Sequence, residues 1–170
     1  MADIMRGLKA GALAGAVMGI LGGIIIVILM FTIFHGEYVA IFEQTLATMP
    51  PGAEISIDTM IMISAVFSII GGLVIGVIFG VIFGIIYAVL YDKIPGKTAI
   101  AKGIVTGLAY FVISTVFSLL MQMAFSGQQA AMGVEQSSLM TGTEYLVSFV
   151  NSLIFGYLIG WLWIKFEPNE

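Results

Sequence analysis

Hydroxyl and amide side chains recur inside stretches of this sequence that are otherwise apolar. Ser68, Ser114, Ser118, Gln122, Ser148, Asn151 and Ser152, with Thr32, Ser64 and Thr115, carry donors and acceptors that hydrocarbon cannot satisfy. Leaving such a group unpaired in lipid costs on the order of several kcal/mol by transfer estimates. Each must therefore find a hydrogen-bond partner. Thr106, Tyr110, Ser114, Ser118 and Gln122 step by four, which puts them along one side of a helix. Two kinds of chemistry fit. One is interhelical hydrogen bonding, at about 0.6 kcal/mol per contact. The other is coordination of a solute by hydroxyls and backbone carbonyls, which needs no deep charge.

Other chemistries lack their residues. The chain has no cysteine, which removes disulfides, thiolate metal sites and a cysteine nucleophile. His35 is the single histidine, and with Glu37 beside it the ligand set is too small for a metal centre. No Asp, Glu, Lys, Arg or His falls deep within an apolar stretch, where a proton relay or an intramembrane protease would need one. Gly96-Lys97-Thr98 matches the end of a phosphate loop, but Tyr91 stands where the first glycine belongs. Neither G-x-S-x-G nor H-E-x-x-H is present. The expectation is a protein without catalytic residues, cofactor or metal.

The polar residues are carried by four uncharged apolar stretches: Ala10 to Phe34, Thr59 to Tyr91, Gly103 to Val134 and Tyr145 to Ile164. Each can cross a hydrocarbon core about 30 Å thick, which takes roughly 20 helical residues. Composition agrees: 60% of residues are hydrophobic, 9% are charged and the mean hydropathy is +1.12, against roughly a quarter charged in soluble domains. The second stretch would reach roughly 50 Å as a helix, so it must tilt or project. The N-terminal run is too long for a signal-peptide core and is expected to stay as the first span.

All six basic residues, Arg6, Lys9, Lys93, Lys97, Lys102 and Lys165, lie beside the same ends of these stretches. The positive-inside rule makes that side cytoplasmic, with both termini. The other side holds Glu37, Glu43, Glu54, Asp58, Glu135 and Glu144 and is acidic. An acidic mouth raises local cation concentration. Trp161, Trp163 and Lys165 read as anchors at the inner interface. Val39, Phe42, Leu46 and Met49 predict a short amphipathic helix at the outer interface, ended by Pro50, Pro51 and Gly52.

Glycine spacing supplies the packing signal. Gly7, Gly11, Gly15, Gly19 and Gly23 form one four-residue ladder, and Gly72, Gly76, Gly80 and Gly84 form a second; Gly103 with Gly107 and Gly156 with Gly160 extend the pattern. Such ladders let helix backbones touch, within one chain or between copies. Most of these glycines sit toward the basic side, whereas the hydroxyls and amides sit toward the acidic side. That polarity predicts a bundle pinched inside and splayed outside, with an outward-facing, hydroxyl-lined vestibule.

Ser68-Ile-Ile-Gly-Gly-Leu-Val-Ile-Gly76 and Gly80 align with Ser148-Phe-Val-Asn-Ser-Leu-Ile-Phe-Gly156 and Gly160; Gly11 and Gly15 align less closely with Gly103 and Gly107. The alignment suggests tandem hairpins over 1–92 and 97–166, related by a pseudo-twofold axis along the membrane normal.

The expected fold is therefore all-α: one polytopic membrane domain over 1–170, with four transmembrane helices in an antiparallel bundle. The spans are expected at about 5–34, 60–91, 99–125 and 143–165, with outer loops at about 35–58 and 126–142. The expected function is that of a non-enzymatic membrane protein that self-associates or serves as a subunit or scaffold through its glycine zippers. A small channel or transporter built on the vestibule is the alternative. The partners implied are the lipid bilayer, further copies or other membrane subunits, and an unidentified small solute or ion; nucleic acid is not among them.

Overall fold

The computed structural model describes residues 2–49, 55–131 and 137–167, and these are helical apart from short turns. Five helices follow in order: α1 (Ala2–Phe31), α2 (His35–Ala47), α3 (Ile57–Leu90), α4 (Ala99–Ala131) and α5 (Ser138–Lys165). All except α2 contain a segment long and apolar enough to cross a membrane; in α4 it covers Ala99–Met121.

Two boundaries differ from the sequence expectation. The segment Ser126-Gly127-Gln128-Gln129, expected as loop, continues α4. Without proline, each of these residues costs a helix at most about 1 kcal/mol, less than an established helix loses by ending early. α5 begins at Ser138, several residues before the expected start, because Ser137 caps it: its Oγ accepts the Met140 N–H at 3.1 Å. Ser56 caps α3 in the same way, accepting the Thr59 N–H at 3.2 Å.

The expected outer loop 35–58 contains α2. Its residues Tyr38, Val39 and Phe42 pack on Met30, Ile61 and Ala65 of α1 and α3. The helix ends at Ala47, and Pro50, Pro51, Gly52 and Glu54, like Val134 and Glu135, lie outside the described residues. At the other end of α3, residues 91–98 form a tight turn. Gly96 there has φ +143°, a conformation that L side chains rarely adopt, and the Thr98 Oγ1 accepts the Ala101 N–H to start α4.

The glycines set how the helices meet. Gly7, Gly11, Gly15 and Gly19 lie against Gly84, Gly80, Gly76 and Gly72 in turn, and Gly23 lies against Ser68 and Ile69, so α1 and α3 run in opposite directions with touching backbones. A Cβ on any of these glycines would overlap a backbone atom of the other helix. In lipid, where apolar burial gives no net drive between helices, this close approach supplies dispersion and weak Cα–H···O contacts. α4 and α5 repeat the arrangement: Gly103 lies against Gly156 and Gly160, and Gly107 against Ser152 and Gly156. In these contacts Gly103 meets Gly156 and Gly160 as Gly15 meets Gly76 and Gly80.

α1 also touches α5, while α3 and α4 meet only locally. The helix thus has a second small-residue side, where Ala10 and Ala14, fully buried, join a cluster with Phe155, Ile159 and Trp163. That cluster lies toward the end bearing the lysines and arginine. Phe79, Phe83, Tyr87 and Tyr91, again four apart, run beside the α3 glycines and meet Tyr110 of α4 and Phe155 and Trp163 of α5 edge-on or tilted, except that Tyr91 stacks on Trp163.

Candidate functional site

At the basic end the four long helices are locked by polar contacts as well as rings. The Tyr87 Oη donates to the Ala99 carbonyl at 2.7 Å, joining α3 to α4. The Lys102 ammonium donates to the Tyr91 carbonyl at 2.7 Å and lies 4.0 Å from the centre of the Tyr91 ring. Arg6 donates through Nε to the Trp163 carbonyl, lies over the Trp163 ring at 4.3 Å and pairs with Glu167 at 3.6 Å. Tyr91 and Trp163 stack between these cations with ring centres 4.9 Å apart. Together these contacts close the basic end with cation–π and hydrogen-bonded pairs.

Toward the acidic end the packing changes. Beyond Gly107, none of the described residues of α4 is buried, and Val112, Val116, Phe117 and Leu120 are each at least half exposed. α3 and α4 separate above the contacts of Phe79 and Phe83 with Tyr110. A cavity of about 440 Å³ opens there, walled by α1, α3 and α5, with Tyr110 contributed by α4. Gly19, Gly22, Gly23, Gly72 and Gly76 line it. These glycines both bring backbones together and leave side-chain volume empty.

The polar wall comes from α5. Glu144, Ser148 and Asn151 follow at spacings of four and three, so they share one helix face, and all three line the cavity. Asn151 stands near the midpoint of α5. It is only 9% exposed, and its Oδ1 is buried without a hydrogen-bond partner. Gly22 makes room for this amide: a Cβ there would come within 2.7 Å of the Asn151 Nδ2. Ser68 lies opposite on α3; its hydroxyl donates to the Ser64 carbonyl at 2.8 Å, leaving its lone pairs free to accept.

A second cavity, about 270 Å³, lies between the outer parts of α4 and α5. Ser114, Thr115, Ser118, Thr141 and Tyr145 line it together with Glu144 and Ser148, so the two cavities share those last two walls. Among the described residues every lining side chain of this second cavity is polar, and no Lys, Arg or His contributes to either cavity.

Of the polar residues singled out in the sequence, Ser68, Ser148 and Asn151 thus meet at the first cavity and Ser114, Ser118 and Ser148 at the second. Ser152 does not join them. It is fully buried, donates to the Phe149 carbonyl at 2.7 Å and packs at the Gly107 crossing. The Gln122 side chain lies outside the described residues. Sequence reasoning missed Glu144 as a wall residue because it counted that carboxylate with the acidic outer face. The signal was its helical spacing to Ser148 and Asn151. Tyr110 was seen only as a member of the α4 polar ladder, and its position at the closed end of the cavity was not legible.

α2 crosses near the acidic end. Glu37 accepts a hydrogen bond from Ser137 at 2.9 Å, tying α2 to the cap of α5. Burial raises the Tyr38 phenol above its usual value of 10.0, and the carboxylates of Glu144 and Glu37 raise it further. The electrostatic character of this end is therefore anionic. Comparison with protein-family models, with curated proteins and with solved structures gives no match, so the functional reading rests on the geometry of the site.

Proposed function

We propose that this chain is a non-enzymatic integral membrane protein that takes a small solute into the cavity between α1, α3, α4 and α5 from its acidic side. The observation that carries the reading is Asn151: a nine-tenths buried amide with an unpartnered oxygen in a cavity wall. A buried, unsatisfied polar atom in a membrane helix is costly, and a polar ligand or water supplies the missing partner. The aromatic and cationic contacts hold the helices together at the basic end, so the solute would enter from the acidic side. The positive-inside rule sets the acidic side outward and both termini in the cytoplasm. We read the α1–α3 and α4–α5 pairs as tandem antiparallel hairpins, supported by the matching glycine contacts of Gly15 with Gly76 and Gly103 with Gly156. In that arrangement the tight α1–α5 and loose α3–α4 junctions are pseudo-equivalent, and the cavity lies on the loose side.

The chain has no native cysteine, so single cysteines at Ser118, Ser148, Asn151 and Ser152 test the reading with a membrane-impermeant thiol reagent. Ser118, Ser148 and Asn151 should react from the acidic side, and Ser152 should not. Protection of the first three to the level of Ser152 would sink the proposal.

Self-association, or service as a membrane subunit, is the second reading. The glycine ladders of α1 and α3 are covered within one chain, so an assembly would use other surfaces. The exposed outer part of α4, with Val112, Val116 and Phe117, is one of these. Crosslinking in native membranes, repeated with Val116→Arg, separates a specific oligomer from lipid contact.

A further inference from the structure

We propose that the solute is an organic cation, an amphipathic ammonium whose charged head bonds to the Glu144–Ser148–Asn151 face while its apolar body lies toward Tyr110. The inference rests on the solute-cavity reading above and adds the chemical class.

The charged inventory of the cavity is one-sided. Glu144 offers an exposed carboxylate, Asn151 an unpartnered carbonyl oxygen and Ser68 an oxygen whose own proton is committed to Ser64. Ser148 can donate or accept. Among the described residues, no Lys, Arg or His in the walls of either cavity is set against this carboxylate. An anion would meet net negative charge with no counter-charge, and a neutral solute would leave the carboxylate without one. An ammonium N–H group satisfies both the charge and the free acceptors, through charge-assisted hydrogen bonds.

The remaining walls decide between an inorganic and an organic cation. Hard cations such as calcium take six to eight oxygen ligands and magnesium requires near-octahedral coordination, whereas these side-chain oxygens are few, from three residues of α5 with Ser68 opposite. The rest of the cavity is glycine backbone with Met18, Ile26, Leu29, Ile75 and Val147. Such a surface suits hydrocarbon and strips water from it. Tyr110, held by Phe83 at 5.0 Å and Phe155 at 5.4 Å, presents a ring at the closed end. A ring there accommodates an apolar body, or a cationic head that penetrates further.

The experiment uses the full chain in zwitterionic nanodiscs, with empty nanodiscs subtracted for partitioning. Three probes of similar shape are titrated by calorimetry: phenethylammonium, neutral 2-phenylethanol and anionic 3-phenylpropanoate. The ammonium should bind at least tenfold more tightly than the alcohol, and the carboxylate should not bind. Glu144→Gln should bring the ammonium to within about twofold of the alcohol measured on the same variant, and Glu144→Asp should restore most of the preference. If the alcohol binds the native chain as tightly as the ammonium, or if Glu144→Gln leaves the preference intact, the cation assignment is overturned while the cavity reading stands. If none of the three binds, the cavity reading fails and takes the assignment with it.

Discussion

Gly15 and Gly76 exclude each other's side chains: a Cβ on either would overlap the carbonyl oxygen of the other. Both obstacles are backbone atoms, so neither can rotate away, and a methyl group on one residue must push the two helices apart. Gly76→Ala should therefore lower stability by about 1–3 kcal/mol, the range for overpacking a close contact. Gly71, one residue before that ladder, has nothing within 4 Å of its Cβ position, and Gly71→Ala should stabilise α3 by about 0.5–1 kcal/mol. Unfolding followed by tryptophan fluorescence in mixed micelles compares the two; equal effects would show that the backbone contact is not what holds α1 to α3.

Asn151 presents the opposite balance, a residue that weakens the fold. Its Oδ1 is buried without a partner, so Asn151→Leu, similar in volume, should raise stability by about 1–3 kcal/mol while removing ammonium binding. Gly22→Ala should disturb the same amide without breaking a helix crossing, because the atom it meets is the Asn151 Nδ2 at the end of a side chain. Ligand titration and unfolding on the same samples check both. A destabilised Asn151→Leu would mean that the amide already has its partner.

Tyr87 joins the end of α3 to the start of α4 through its hydrogen bond to the Ala99 carbonyl. Tyr87→Phe keeps the ring contacts with Tyr91 and Trp163 and removes only the hydroxyl. A loss of about 1 kcal/mol is expected, against no measurable change for Tyr157→Phe on the exposed side of α5. Chemical denaturation of the two variants side by side gives the answer.

Tyr38 makes α2 sensitive to alkali. Its phenol is raised above 10.0 in the folded chain, by burial first and then by Glu144 and Glu37. The folded state therefore holds this proton more tightly than the unfolded state. The associated stability is complete below pH 10 and is lost as pH rises from there through the folded value. Melting temperature measured between pH 8 and 11 should fall less steeply above pH 10 for Tyr38→Phe than for the native chain; parallel curves would contradict the shift.

Several elements were legible in the sequence because lipid imposes them. Uncharged runs of spanning length can satisfy their backbone only as helices, and the α2 helix followed from apolar residues three and four apart. The Gly7–Gly23 and Gly72–Gly84 ladders could be read as contact surfaces but not assigned partners, since four-residue spacing is the same for a neighbour in the chain and for another copy. The start of α5 was placed late because the polar and glycine residues up to Gly142 look like loop when taken singly; the capping hydroxyl of Ser137 decides otherwise.

The sequence by itself determined which segments can cross a membrane, which ends share the lysines and arginine, and that the chain carries no cysteine. These properties follow from composition and one-dimensional order, and no particular packing is needed to produce them. Only the tertiary structure decided that α1 uses its glycines on α3 and its alanines toward α5, that α3 and α4 part above Tyr110, and that Glu144, Ser148 and Asn151 therefore face a cavity. The reason is that a helix periodicity names a face but not what lies opposite. A void depends on which neighbour fails to fill it, a property of pairs of helices that no single stretch of sequence carries.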